Sequence, residues 1–448
     1  MINSDFHNKL FWRKIGVISL FAANFIVFIF IWWGGAKPLL SQGTDSILIA
    51  FGRLSGLLAA FFLMTQLMLI GRIRWFEHLY GFDKMNKVHR WIGYSILSLI
   101  FAHPILLVWA NSILDGVGFF AELGSFLANK EDVLWAFLAI LIFCYIVFLS
   151  IAGFRRRVKY ETWYFIHLAN YIAFGLAALH QFNSADLAVG WANYYWYVLN
   201  FAVLGLVLVY RFLKPSYLYV KHEFKVQKLV PESHDVTSVY VTGRDMASFK
   251  YQAGQYSNLN FLDMKRWWSK HPFSISTAYN GDHIRFSIKN SGDFTQTIPQ
   301  LKPGTTIFLD GPLGLFIPEL ATREKLLMIA GGIGITPLRA MIEELTPKQT
   351  DIMLLYAIKS SQDMVFKTEL ENFQKQNPNL KIIYIMSTPE PGFETGFVDK
   401  EKVARLVPDF LNREVFLCGP PPMMKAVSKT LMEMGLAKQF IHYEKFSF

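Results

Sequence analysis

Two cysteines in 448 residues exclude a disulfide framework, and Cys144 inside an apolar run and Cys418 in a soluble-type motif cannot together form a thiolate metal site. Any metal must therefore be held by histidine or carboxylate. Charge is also scarce. Asp, Glu, Lys and Arg make up 17% of the chain against 53% hydrophobic residues and a mean hydropathy of +0.28, which excludes an ordinary soluble protein. The net charge of +10 does not mark a nucleic-acid binder, because the basic residues gather at the ends of apolar segments, where membrane topology accounts for them.

What is present divides into two halves. Up to about Arg211 the chain consists of long apolar runs rich in Phe, Trp and Leu, and beyond Lys214 it has the charge density and turn spacing of a globular protein. A helix needs roughly 20 apolar residues to cross a bilayer. Six stretches qualify: about Ile15 to Trp33, Ile47 to Ile70, Val88 to Ala110, Val133 to Gly153, Thr162 to Gln181 and Ala192 to Phe212. The first follows Arg13 and Lys14 as a signal peptide would, but its length, its Trp32-Trp33 pair and the spans behind it favour a retained helix. Arg72, Arg74, Lys84, Lys87 and Arg90 follow the second span, and Arg155, Arg156, Arg157 and Lys159 follow the fourth. Lys and Arg favour the cytoplasmic side, so the pattern predicts a multi-pass plasma-membrane protein with both termini and the globular half in the cytoplasm.

Histidine occurs in two of the spans. His89 and His103 lie fourteen positions apart in the third, and His167 and His180 thirteen apart in the fifth. At 1.5 Å per residue each pair is separated by about 20 Å along its helix, giving two layers of facing imidazoles. Neutral imidazoles from two helices can clamp haem iron, which predicts His89 with His167 for an inner haem and His103 with His180 for an outer one. The alternative is packing histidines hydrogen-bonded to neighbouring helices. Thirteen residues rotate an ideal helix by about 220°, so a bend near Gly175 or a change in winding is needed to bring both rings onto the interior. Arg53, in the second span just below the outer surface, needs either an anionic partner, such as a haem propionate, or a route to the interface.

From Tyr219 to about Phe316, short alternating runs and turns such as Asn280-Gly281 and Pro303-Gly304 predict a small antiparallel barrel. From Lys325 the pattern changes to four apolar strands, Leu326 to Ala330, Ile352 to Ala357, Ile382 to Met386 and Val415 to Cys418, alternating with helices, which predicts a parallel sheet. The first strand runs into GGIGITP (Gly331 to Pro337) and the fourth into CGPPPMM (Cys418 to Met424). Two glycine turns at one carboxyl edge are suited to a dinucleotide pyrophosphate. The fold expected is a multi-domain membrane protein with an all-α six-helix transmembrane bundle (1–214), an antiparallel β-barrel (215–320) and an α/β parallel-sheet nucleotide-binding domain (321–448).

The paired histidine spacings, HPFSIST (His271 to Thr277), GGIGITP and CGPPPMM together resemble the ferric reductase and NADPH oxidase superfamily over nearly the whole chain. The resemblance implies an oxidoreductase using FAD, two b-type haems (haem b) and NADPH or NADH. It implies that His271, Pro272, Phe273 and Ser274, with Thr277 closing the motif, lie along the flavin. Lys289, Gly292 and Thr295 would belong to the FAD surroundings, and Gly331, Gly332, Gly334 and Thr336 to the nicotinamide-nucleotide pyrophosphate turn. Cys418, with Gly419 and Pro420, would form the edge beside the nicotinamide. The terminal HYEKFSF is similar to reductases in which an aromatic after a Glu covers the flavin, which nominates Phe446, with Phe448 as second choice.

The chain departs from the regulated members in having no D-x-D-x-D-G calcium loop and no proline-rich tail, so no obligatory protein activator is expected. The segment STPEPGFETG lacks an arginine for a 2′-phosphate, and Lys359 is the substitute that tilts the donor toward NADPH. Electrons are expected to run from NAD(P)H through FAD and the haems, with Arg53, Cys418 and Phe446 close to the chemistry. The acceptor is O2, giving superoxide, or a ferric chelate; the outward loops hold no dense cluster of iron ligands, which favours O2. A haem-binding membrane sensor or quinone-linked subunit is the reading from another class.

Overall fold

The computed structural model describes residues 4–151, 154, 157–158, 160–181, 184–187, 190–264 and 266–444. Arg155, Arg156, Lys159, Phe446 and Phe448 lie outside the described residues. Contacts divide the chain into two units, one of residues 14–73 and 84–211, the other of 1–13, 74–83 and 212–448.

Among the described residues six helices are long and apolar enough to cross a membrane: Asp5–Ala36, Thr44–Ile70, Phe82–Leu114, Glu131–Ser150, Thr162–Gln181 and Gly190–His222. Each contains one of the expected spans or most of it. In lipid the helices gain little from burying apolar surface, so close packing and interhelical hydrogen bonds hold them together. Phe28 meets Phe61 edge to face at 5.0 Å and Trp196 at 5.4 Å. Trp32 Nε1 donates to the Ala50 carbonyl at 2.7 Å, and the Tyr195 hydroxyl donates to Asn24 at 2.7 Å. Ala139 and Ala173, both buried, let the fourth and fifth spans approach closely.

The fifth span is broken. It consists of Tyr160–Leu168 and Asn170–Gln181, with a turn at Ala169. The Ala169 amide bonds back three residues to Ile166 rather than four, and the Asn170 side chain donates to the His167 carbonyl at 2.8 Å. This is a local tightening that resets helical phase. The break therefore falls at Ala169, not near Gly175, which sits inside the second piece. The sixth span changes to π-helical winding over Leu208–Leu213 before continuing as Lys214–His222.

In the other unit, β1 (Lys225–Ser233), β2 (Val236–Thr242) and β5 (Ile284–Lys289) form one antiparallel sheet. The second is built from β3 (Tyr256–Phe261), β4 (His271–Ser274) and β6 (Ile307–Leu313), with β3 in the centre. Phe224, Leu259, Phe261, Ile284 and Phe286 fill the space between the sheets and are fully buried, each worth about 2–3 kcal/mol by area. The Asn280-Gly281 turn forms as expected: Gly281 has φ +77°, and the Asn280 side chain accepts from the Asp282 and His283 amides.

Beyond it lies a six-stranded parallel sheet. To the four expected strands, β7 (Lys325–Gly331), β8 (Asp351–Ile358), β9 (Leu380–Met386) and β11 (Glu414–Cys418), the structure adds β10 (Glu394–Thr395) and β12 (Ile441–Tyr443) at the edges. These two are too short to carry a hydrophobic signature. In β7, Leu326, Met328 and Ala330 enter one core while Leu327 and Ile329 enter the opposite one. The strand is buried on both faces, which is why it reads as a continuous apolar run. The fold class is the one the sequence implies: apolar helices, then antiparallel sheets, then a parallel α/β sheet.

Candidate functional site

The two histidine layers form in the transmembrane unit. The rings of His89 and His167 stand with centroids 6.1 Å apart, and those of His103 and His180 with centroids 6.0 Å apart. Such a spacing fits one metal atom held at about 2 Å by a nitrogen of each ring. His103 Nδ1 lies 2.7 Å from the Gly52 carbonyl, so it carries the proton and leaves Nε2 as the free donor atom. His180 Nδ1 lies 3.2 Å from Asp132 Oδ2. In the other layer, Nδ1 of His89 and of His167 are buried with no hydrogen-bond partner among the described residues.

The layer of His103 and His180 opens into a cavity of about 600 Å³, lined also by Arg53, Asp132 and apolar side chains such as Phe137. Gly56 lets the His103 ring lie against the second span: a Cβ there would fall 2.6 Å from His103 Nδ1. Arg53 also reaches the buried Asp186 carboxylate, at 3.7 Å. The protein itself thus supplies an anionic partner for Arg53, which also lines the cavity. Burial pushes the Asp186 carboxyl upward while the Arg53 charge works against that shift. Asp132 and Asp186 were not anticipated. Asp132 begins a span and Asp186 follows one, both on the His103–His180 side, and depth relative to the histidines was the one usable signal.

In the other unit the flavin-motif residues assemble on β4. His271, Pro272, Phe273 and Ser274 are partly exposed. Phe294 packs on them, with its ring 4.0 Å from His271 and stacked near Phe273 at 6.3 Å. Thr277 is buried, and its hydroxyl donates to Glu343 at 3.0 Å. Lys289 is engaged with Asp235 at 3.0 Å. Thr295 Oγ1 accepts from the Ser291 and Gly292 amides and so shapes the loop, while the space beside Gly292 is open.

The two glycine turns meet at the carboxyl edge of the parallel sheet. β7 pairs directly with β11 up to Ala330 opposite Cys418. A Cβ on Gly334 would collide with the Cys418 carbonyl, and one on Gly419 would lie 3.0 Å from the Gly331 Cα. Gly332 differs: it has φ +51° and open space around it, so its backbone faces the crevice. Thr336 donates to the Ile333 carbonyl at 3.0 Å, and the helix Ile335–Leu345 begins there with its amide end toward the turn. This cradle fits a pyrophosphate. Pro420 opens the neighbouring helix Pro421–Glu433.

Cys418 is fully buried, and burial pushes its thiol upward, so it is a neutral thiol at neutral pH. Nearby, burial and then the charges of Glu77 and Asp83 raise the Glu444 carboxyl well above the ordinary range. Gly314 allows Glu444 to approach: its Cβ position lies 3.1 Å from Glu444 Oε1. Glu77, on the short helix Arg74–Tyr80, accepts from the Tyr256 hydroxyl at 2.7 Å. In the sequence this segment reads only as a basic loop, because seven residues are too few for a periodic signal.

A buried cluster ties the barrel to the parallel-sheet domain. Arg285 of β5 and Arg339 of the helix after β7 both bind Glu369, and Arg339 also binds Glu343. Glu343 in turn accepts from Thr277 and the Ala278 amide.

Residues 55–178 match the family described as ferric reductase like transmembrane component, 221–314 an FAD-binding domain, and 328–429 an oxidoreductase NAD-binding domain. Among curated proteins, the flavohemoproteins of Oceanobacillus iheyensis and Bacillus subtilis are each 27% identical over half of this chain. The chain spans 58% of the length of those relatives. The FAD/NAD-binding domain of nitric oxide dioxygenase from Vibrio cholerae is 26% identical with a TM-score of 0.45, over 50% of this chain and 98% of that one. A flavohemoglobin from Malassezia yamatoensis is 21% identical with a TM-score of 0.47, over 87% of this chain and 99% of that one.

Proposed function

We infer that this chain, whose transmembrane component followed by FAD- and NAD-binding domains has the ferric reductase and NADPH oxidase-like architecture, is an NAD(P)H oxidoreductase that exports electrons across the plasma membrane to O2, giving superoxide. The reading divides the chain into a transmembrane di-haem domain (1–214), an FAD domain (215–320) and an NAD(P)H domain (321–448). Both termini are cytoplasmic in this reading, which the basic segments after the second and fourth spans support. The observation that carries the reading is the pair of facing imidazoles at two depths, spaced for one iron each.

When bound, FAD would supply hydride acceptance and one-electron release, and b-type haem one-electron transfer. His89 and His167 would hold an inner haem, and His103 and His180 an outer one. Apolar side chains such as Phe137 exclude water from the outer pocket, and Arg53 places a positive charge there. Gly331, Gly332, Gly334 and the helix amide end bind the dinucleotide phosphates, and Thr336 holds their turn in shape. The β4 residues His271 to Ser274 orient the flavin; Lys289, Gly292 and Thr295 flank it. Cys418, Gly419 and Pro420 would form the edge beside the nicotinamide. Lys359, exposed after β8, is the cation available to a 2′-phosphate, so NADPH is the preferred donor.

Oxygen is favoured over a ferric chelate as acceptor. Among the described residues, the group of His, Asp or Glu side chains close enough to share a metal is His234, Asp235 and Asp363, in the cytoplasmic unit. The deciding experiment is cytochrome c reduction by the purified protein with and without superoxide dismutase, then with a ferric chelate in place of oxygen. Dismutase-sensitive reduction supports the oxygen reading. Dismutase-insensitive chelate reduction with no superoxide identifies a ferric reductase on the same electron path.

A further inference from the structure

The two histidine layers differ in what stands behind their rings. Asp132 lies in the first turn of the helix Glu131–Ser150 and places Oδ2 3.2 Å from His180 Nδ1. Its facing ring, His103, is backed by a neutral carbonyl, Gly52, at 2.7 Å. The rings of His89 and His167 have neither kind of support at Nδ1 among the described residues. One of the four imidazoles thus carries a carboxylate partner, and it belongs to the layer that opens into the outer cavity.

A carboxylate accepting the Nδ1 proton fixes the tautomer and makes the opposite nitrogen a stronger electron donor. Stronger donation and a nearby negative charge both stabilise ferric over ferrous iron, and hydrogen bonding to the ligands is one of the levers that set haem potential. The carbonyl behind His103 acts in the same direction but carries no net charge. Resting on the di-haem reading above, we propose that Asp132 is a positioning residue that holds the His180 ring and keeps the outer haem more reducing than its ligand set alone would make it. This suits the last carrier before a poor one-electron acceptor such as O2.

The test is a spectroelectrochemical titration of the purified full-length protein with haem quantified per chain. Wild type should hold two haems and titrate in two components. Asp132→Asn should move one component to more positive potential and leave the other in place, with a change in one of the two low-spin ferric electron paramagnetic resonance signals. Asp132→Glu should stay close to wild type. If Asp132→Asn loses one haem that Asp132→Glu retains, the carboxylate's hold on His180 is supported directly. Two haems with unmoved potentials and unchanged resonance signals in Asp132→Asn overturn the proposal while leaving the electron path standing. A wild type with fewer than two haems removes the path itself, and this proposal with it.

Discussion

Gly334 and Cys418 touch backbone to backbone: no side chain fits on Gly334 without striking the Cys418 carbonyl, which belongs to a neighbouring strand and cannot rotate away. Gly334→Ala should therefore separate the two turns of the nucleotide cradle. The expected result is loss of NAD(P)H-driven flavin reduction and destabilisation on the order of 1–3 kcal/mol, the usual cost of overpacking. Gly332→Ala should behave differently, since its neighbourhood is open and its left-handed backbone costs only about 1–2 kcal/mol. Its effect should appear mainly as a raised KM for the dinucleotide, with the flavin still bound. Anaerobic stopped-flow reduction of the flavin in the two variants checks both.

His103→Ala or His180→Ala should remove one haem per chain and abolish delivery to the outer acceptor, while NAD(P)H continues to reduce the flavin. The flavin and nucleotide residues belong to a different unit of the chain from these two rings, so their chemistry does not depend on them. Haem quantification and anaerobic flavin bleaching on the same preparation separate the effects. Loss of both together would count against assigning the histidines to a haem.

The histidine layers were legible in the sequence because helical rise turns a spacing of thirteen or fourteen residues into depth, whatever the packing. Their phase was not. The turn at Ala169 that carries His180 round to His103 comes from one shortened backbone bond and the Asn170 side chain, and neither leaves a hydrophobic signature. The four central strands of the parallel sheet announced themselves by burial on both faces, while Glu394–Thr395 and Ile441–Tyr443 are edge pieces too short to do so. Arg53 was visible as a cation needing a partner. That the partner is Asp186, more than a hundred residues away, depends on how the helices pack, which one sequence does not reveal.

Glu369 stands between Arg285 and Arg339, whose side chains are only 3% and 6% exposed. Glu369→Ala leaves two buried guanidiniums short of a counter-charge. Breaking a buried pair costs roughly 3–5 kcal/mol, and the 34% exposure of Glu369 reduces this to about 2 kcal/mol. Since Arg285 lies in the barrel and Arg339 in the parallel-sheet domain, hydride transfer should slow along with the loss of stability. Thermal unfolding and single-turnover flavin reduction measured together test this; an unchanged melting temperature would show that the two guanidiniums do not depend on Glu369.

Glu444 supplies a pH signature of opposite sign to that of an ordinary paired carboxylate. Its carboxyl is raised by burial first and then by Glu77 and Asp83, so the folded chain keeps a proton that the unfolded chain gives up. Below the unfolded value of about 4.3 both states are protonated and nothing is lost. As pH rises past that value the unfolded state releases its proton and the folded state does not, so stability falls by as much as about 1.4 kcal/mol per pH unit until the raised folded value is passed. Glu444→Gln keeps the shape and the neutral form but has no proton to lose. The variant should match wild type near the acid end of the window and become more stable than it toward neutral pH. Melting temperatures of the two proteins across that range should diverge; parallel curves would mean that Glu444 ionises as freely in the folded chain as in the unfolded one.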